Sequence, residues 1–496
     1  MAPRKRDFTA LKIILIVIIL ALVAGSAWFV KLSLDLVSSP ADPLPTESHL
    51  ENIPEQDPVD QTETETEEDR SDLFDDVTEP LPTEPPQPVT ASISAQGDLL
   101  IHGGIIKSCS FGDGYDFESN FRYLAPYLEE YDYSIANLET TFGGDDNPYQ
   151  GWPLFNVPDA FGDAVVDAGF DMLLTANNHC YDTLEPGMLR TLEVAREKGL
   201  ETLGTRLNGD EPRYSIVNIN GIWVGMTAYT YTTSMSGDKP SLNGNTPVKN
   251  DHLVNYFSYN DLGAFYSELE DLLLRMHAEG VDATMVFIHW GTEYEITENN
   301  YQNTIAQKIC DLGVDVIVGG HPHVVQPVEL LTSATDPEHK TVCIYSLGNA
   351  ISNQRISEMR LKTGHTEDGA LFSVTFEKDP ESGAVELSAV DVVPTWVALD
   401  SRNGKLEYNI LPLVDAEREQ WRELFNLDDS IFGQCEASYD RTMAIVGDGL
   451  TRVQEYLATE KAELEQYYYD LVYHPERFLT EPTEATEPVE TTEPAA

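Results

Sequence analysis

The stretch from Asp311 to Gln326, DLGVDVIVGGHPHVVQ, restricts the fold of this chain more than any other. Val314, Val316 and Val318 alternate with Asp315 and Ile317 in a β-branched run, a pattern that predicts a short buried strand. Gly319 and Gly320 let the backbone turn sharply where that strand ends. His321 and His323 follow, separated by Pro322, which favours an extended backbone. Side chains two apart in an extended segment point the same way, so the spacing predicts two imidazoles aimed at one point. Imidazole ligates zinc, iron, nickel and copper and joins carboxylates around manganese. The plain alternative is two histidines in a surface loop; the hydrophobic strand leading into them favours a metal.

The same event recurs along the chain. VTASISAQGDLLI (89–101) carries Asp98 near its end, YSIANLET (133–140) carries Glu139, and FDMLLTANNH (170–179) ends in Asn178 and His179. VDATMVFIHWG (281–291) ends in His289, with Glu293 just beyond. Between these strands lie segments with helical spacing: 117–131, 159–169, 184–199, 262–280 and 301–313. Residues 215–229 predict a hairpin turning at Asn220-Gly221, TVCIYSLGN (341–349) another strand, and 370–377 with 384–392 an antiparallel pair. Such alternation predicts an α/β fold, two sheets packed as a sandwich with flanking helices. Ligands of α/β sheets gather beyond the carboxyl ends of strands, where all five clusters fall. Taken singly, each residue reads as a cap, a turn or a core histidine. Together, Asp98, Glu139 and Asn178 with His289, His321 and His323 suffice to hold two divalent ions with Glu139 between them. A pair of ions activates water and steadies an oxyanion, the equipment of phosphoester hydrolysis.

Composition decides the partners and the compartment. Formal charge is -55, from 85 acidic and 30 basic residues, so the basic footprint that nucleic acid requires is missing. Arg4, Lys5, Arg6 and Lys12 precede an uncharged apolar run from Ile13 to Val30, which predicts a membrane span with residues 1–12 in the cytoplasm and everything after Lys31 outside, the alternative being a signal cleaved at the small residues Gly25-Ser26-Ala27. Residues 31–88 read as an extended acidic spacer: between 41 and 90 there are 16 acidic side chains against Arg70 alone. The Thr/Glu/Pro vocabulary returns in the tail at 478–496. The globular part is expected over 89–400, followed by a helical extension over 401–477. Five cysteines without a C-x-x-C pair do not indicate a disulfide framework.

GDLLIH (97–102), NLET (137–140), ANNHCYD (176–182), HWGTEY (289–294), GGHPHVVQP (319–327) and YSLGN (345–349) resemble, in order and spacing, the motif set of the capsule-synthesis CapA proteins. That poly-γ-glutamate capsule family is similar to calcineurin-like metallophosphoesterases, and the resemblance runs over about residues 91–355. It implies a four-layer α/β/β/α sandwich holding one or two divalent ions (Mn, Zn, Fe or Mg). It makes Asp98 and His323 ligands of a first ion, His289 and His321 ligands of a second, Asn178 a further ligand, and Glu139 the bridge. His179 becomes the general acid toward the leaving oxygen. Asp182 and Glu293 belong to the motifs as residues behind the ligands or facing the substrate. Two positions depart from the superfamily's pattern. Leu100 stands where D-x-H has its histidine, with His102 the nearest substitute, and Glu139 in N-L-E replaces an Asp in G-D-x-x-D. The implied function is a membrane-anchored, extracytoplasmic, phosphoesterase-like hydrolase in synthesis or export of an envelope polymer. Its expected partners are the membrane, the polymer or its precursor, and membrane-bound capsule synthase subunits. The rival is a non-catalytic polymer-binding or export component of a capsule synthase.

Overall fold

The computed structural model describes residues 88–473, apart from 237, 238, 245, 402 and 403. The expected anchor at 13–30, the basic segment before it, the spacer up to 87 and the tail from 478 lie outside the described residues. In chain order the first sheet begins with β1 (Val89–Leu99), then α1 (Gly103–Ser108), the small hairpin β2 (Ser110–Phe111) and β3 (Gly114–Tyr115), and the short helices α2 (Glu118–Phe121) and α3 (Ala125–Leu128). The single helix expected over 117–131 is thus broken in two. Pro126 has no N–H to donate to Arg122, so the first helix cannot propagate through it. β4 (Tyr133–Leu138), α4 (Ala160–Asp167), β5 (Met172–Leu174), α5 (Leu184–Glu197) and β6 (Glu201–Leu203) follow. β5 stops at Leu174, well short of the expected 179, and leaves Asn177, Asn178 and His179 on irregular chain.

The second sheet opens with the hairpin β7 (Tyr214–Ile219) and β8 (Ile222–Tyr231). Asn220 and Gly221 turn it with φ of 54° and 92°, the pair of positive angles a two-residue hairpin needs. Three short strands, β9 (Ser234–Ser236), β10 (Lys239–Leu242) and β11 (Thr246–Pro247), form a small sheet of their own. Then come β12 (Tyr256–Phe257), α6 (Leu262–Ala278), β13 (Ala283–His289), α7 (Asn300–Asp311), β14 (Val316–Gly320), β15 (Val328–Thr332) and β16 (Lys340–Ile344). The chain returns to the first sheet with β17 (Asn349–Ile351), β18 (Asp368–Lys378), β19 (Val385–Asp400) and β20 (Glu407–Pro412), and the described residues close with α8 (Trp421–Leu424) and α9 (Asp429–Tyr473). β20 is a strand at the start of the segment 401–477, where a helical extension was expected. Its buried Tyr408, Ile410 and Leu411 pair edge-on with β19, which extends the sheet past residue 400.

The first sheet runs β20-β19-β18-β1-β4-β5-β6 with β17 beside the end of β1; the second runs β12-β8-β13-β14-β16-β15 with β7 beside β8. Ile93, Ile135 and Met172 of one sheet pack against Val224, Met285 and Val318 of the other in a shared core. Phe121, Phe161 and Val165 cover the far face of the first sheet, and Leu269, Leu273 and Ile305 the far face of the second. The order is therefore helix, sheet, sheet, helix. α9 adds Val446, Leu450, Val453 and Leu457 to the inter-sheet core from one face of the helix. Among the described residues no helix is long and apolar enough to cross a membrane.

Candidate metal centre between the two sheets

Parallel register brings the strand ends together. Asp98 pairs with Asn137 on β4, two residues before Glu139, and His289 pairs with Gly320 at the end of β14, one residue before His321. Two overlapping donor groups result: Asp98, Glu139 and His323 in one, and Glu139, His289 and His321 in the other, each with ligand atoms within 4.8 Å of one another. All five side chains are buried. Asn178 joins the second group, its Oδ1 lying 2.7 Å from His289 Nε2. The histidines arrive by a route other than the extended one the spacing suggests. His321 and His323 have φ of 96° and 57°, so the segment is a left-handed turn, a conformation that costs a non-glycine residue of order 1–3 kcal/mol and tends to persist at functional sites. The rings still converge, with centroids 6.0 Å apart.

The electrostatics of the protein groups alone are unbalanced. Burial would raise the Asp98 carboxyl, but the His323 hydrogen bond and charge, the His289 charge and the Asn137 amide hold it below the usual range. Glu139 is pushed well up, first by burial and then by the Asp98 charge. Burial holds His289 down to about 3 and His321 well below the ordinary imidazole value, so both are neutral, the form that ligates metal. Neither Glu139 oxygen receives a hydrogen bond, and neither does His321 Nδ1, whose partner nitrogen Nε2 lies 3.1 Å from the Tyr231 hydroxyl. His289 Nε2 sits 3.4 Å from Glu139 Oε1. Buried carboxylate oxygens without donors are costly unless a cation faces them. The donor set therefore fits a pair of divalent ions sharing Glu139.

Neighbouring residues hold this arrangement in place. Asn137 donates to Asp98 Oδ1 at 2.8 Å, and Asn177 donates to Leu138 O at 2.8 Å and to Asn137 Oδ1 at 3.1 Å. Asn349, at the end of the YSLGN segment, donates to the backbone oxygens of His323 and Thr366. Buried Gln326 bonds Gln302 of α7 and the carbonyls of Glu295 and Thr297, which shapes the loop carrying Glu293. His179 lies beside the donor groups; its Nδ1 is 2.7 Å from Asp182 Oδ2, so Asp182 is buried behind the imidazole, not on the surface. Glu293 is exposed. His102 joins neither group. β1 ends at Leu99, His102 falls at the N-cap of α1, and its Nδ1 accepts the Asn353 N–H at 3.2 Å. A continuing strand would have kept it on the Asp98 face; the turn into α1 takes it off. Tyr231, Asn177 and Asn243 were not singled out by sequence reasoning. Asn177 had a local signal, the doubled Asn before His179, whereas the other two reach the site only through distant pairing.

A sandwich of two sheets with paired carboxylate and imidazole donors at its strand ends defines a protein with a candidate two-ion centre. Residues 92–354, more than half of the chain, match the family of the bacterial capsule synthesis protein PGA_cap, and the chain belongs to that family. The PGA biosynthesis protein CapA of Bacillus subtilis (strain 168) is 28% identical over 324 residues, covering 63% of this chain and 76% of that protein. The capsule biosynthesis protein CapA of Bacillus anthracis is 26% identical over 287 residues, covering 55% and 63%. Two solved structures overlap the chain more loosely. One is described as a novel phosphatase of Mycoplasma pneumoniae (TM-score 0.36, 15% identity, 62% of this chain and 94% of that one). The other is TT1561 of Thermus thermophilus (TM-score 0.30, 9% identity, 60% and 98%).

Proposed function

We propose that this chain is a metal-dependent phosphoesterase-like hydrolase of capsule biosynthesis, acting on an envelope polymer or its precursor. On this reading residues 13–30 anchor it in the membrane and hold the sandwich outside the cytoplasm beside membrane-bound synthase subunits. One observation carries the hydrolase reading: two buried donor groups share Glu139, whose oxygens have no other partner. Asp98, Glu139 and His323 would hold one ion, and Glu139, Asn178, His289 and His321 the other. When bound, such a pair supplies charge for a developing oxyanion and an activated water. The remaining residues act around it. Asn137 and Asn349 orient the ligands. His179, backed by Asp182, holds a proton for the leaving oxygen. Phe155 packs its ring edge-on to His179, with centroids 4.8 Å apart, and keeps water from the imidazole.

Elemental analysis of the full-length protein tests the ion pair, with two equivalents of Mn, Zn or Fe expected and Glu139→Gln losing most of both. A screen of aryl and alkyl phosphoesters with the same metals tests the reaction. Two bound ions with no hydrolysis of any ester would leave the non-catalytic export role as the better reading.

A further inference from the structure

We propose that Asn243 is a positioning residue that fixes the Asp182 carboxylate and through it holds the orientation of His179; this rests on the reading of His179 as the proton donor. Asn243 lies in the turn after β10, at φ 50°, 64 residues along the chain from His179. Its Nδ2 is 2.9 Å from the Pro153 carbonyl oxygen, 2.9 Å from Asp182 Oδ1 and 3.3 Å from His179 Nδ1. An amide nitrogen carries two hydrogens. The carbonyl and the carboxylate can only accept, so they take both and also fix which way the amide faces. Nothing remains to donate to His179 Nδ1. Asp182 Oδ2, 2.7 Å from that nitrogen, can only accept, so Nδ1 carries its own hydrogen and donates it there, and Nε2 is the atom left to hold or release a proton.

The same network ties down the loop in front of the imidazole. Asp182 Oδ2 also accepts the Phe155 N–H at 2.7 Å, so each oxygen of the carboxylate has a fixed donor set. Asn243 stops that carboxylate from rotating, and Pro153 and Phe155 bring the loop onto it from the other side. The Phe155 ring then stands between His179 and His102, edge-on to both, at 4.8 and 5.1 Å. The contribution of Asn243 is to orient a group that does the chemistry, from a segment whose Leu242 and Val248 pack with Met188 of α5 and with Tyr181 beside His179.

The test reads the imidazole directly in full-length protein with ¹⁵N-labelled histidine and metal removed by chelation. The His179 Nδ1–H resonance is assigned by its absence in His179→Gln. It should be present and slow to exchange in the wild type, and should exchange about fivefold to tenfold faster in Asn243→Ala, the effect of losing one supporting hydrogen bond. Asp182→Asn should abolish it. A residue that merely braced the loop would lower the melting temperature without moving this signal. Should Asn243→Ala fail to fold, Asn243→Ser, which keeps a shorter donor, is read the same way and should fall between the two. Wild-type exchange in the folded variant overturns the inference and leaves the hydrolase reading intact. An inactive wild-type protein would sink only the hydrolase reading, because the exchange measurement needs neither metal nor substrate.

Discussion

At the scale of single residues, the site separates groups that would hold ions from a group that would move a proton. General acid catalysis is worth ~10²–10⁴-fold, and a good leaving group such as an aryl oxide needs it least. On the proposed reading His179→Ala keeps its metal and loses more rate on an alkyl than on an aryl phosphoester. His321→Ala loses metal and both activities alike; equal losses for His179→Ala with metal bound would remove the acid assignment. Two neutral imidazoles also predict how the metal-free protein responds to acid. Burial holds His102 down to about 4 and His289 down to about 3, against 6.5 for the unfolded chain. Below pH 6.5 the unfolded chain binds protons that the folded chain does not. Folding stability should then fall as pH drops from 6.5 toward 4, by up to ~1.4 kcal/mol per pH unit for each imidazole, and should be flat in these groups above 7. Chelated protein melted across this range checks it, and His102→Gln should shallow the slope. A melting temperature unchanged between pH 7 and 5 would contradict the assignment of neutral rings.

At the scale of elements, the end of β14 does two jobs with two adjacent glycines. A Cβ on Gly319 would meet the Tyr345 carbonyl oxygen at 2.0 Å and Trp290 Nε1 at 2.6 Å, backbone and a buried ring that cannot yield. Gly319→Ala should therefore cost several kcal/mol, about 2–4 on the scale of overpacked cores, read by denaturant unfolding. A Cβ on Gly320 would instead stand 3.3 Å from Asp98 Oδ1 and 3.6 Å from His289 Nδ1. Gly320→Ala should fold with little loss of stability but bind metal more weakly, as titration of the chelated protein would show. Loss of metal with stability unchanged in Gly319→Ala would reverse the assignment. The spacing of His321-x-His323 was legible as two converging rings, but the turn that achieves this was not. Pro322 fixes only its own φ. The turn is held from outside, where the Trp290 and Tyr294 N–H groups donate to the Gly320 and Pro322 carbonyls.

For the whole molecule, closure of the sandwich depends on a helix outside the matched family region. Val446, Leu450, Val453 and Leu457 of α9 enter the inter-sheet core. Leu450→Ala should cost ~2–5 kcal/mol, as for other buried leucines, and should lower the melting temperature of the entire sandwich in one transition. A separate, earlier transition would instead make α9 an appendage. The proposed topology has its own check. Protease added to intact protoplasts should cut the acidic spacer and release the sandwich; survival until lysis would place the sandwich on the other side of the membrane.

The amino-acid sequence by itself determined which segments form the site's strands and which residue types follow them, though not where β5 stops, because strand periodicity, turn glycines and the order of motifs are properties of neighbouring residues. It also carried the charge balance that disfavours nucleic acid and the apolar run near the N-terminus. Only the tertiary structure decided which donors share Glu139, that His102 leaves the site while Asp182 enters it, and that Asn243 reaches His179. Those outcomes turn on the register between β1 and β4, the pairing of β13 with β14, and the packing of the turn after β10 against the loop at 153–155. Each joins residues tens of positions apart or more, and a shift of one residue in register would turn the side chains to the opposite face.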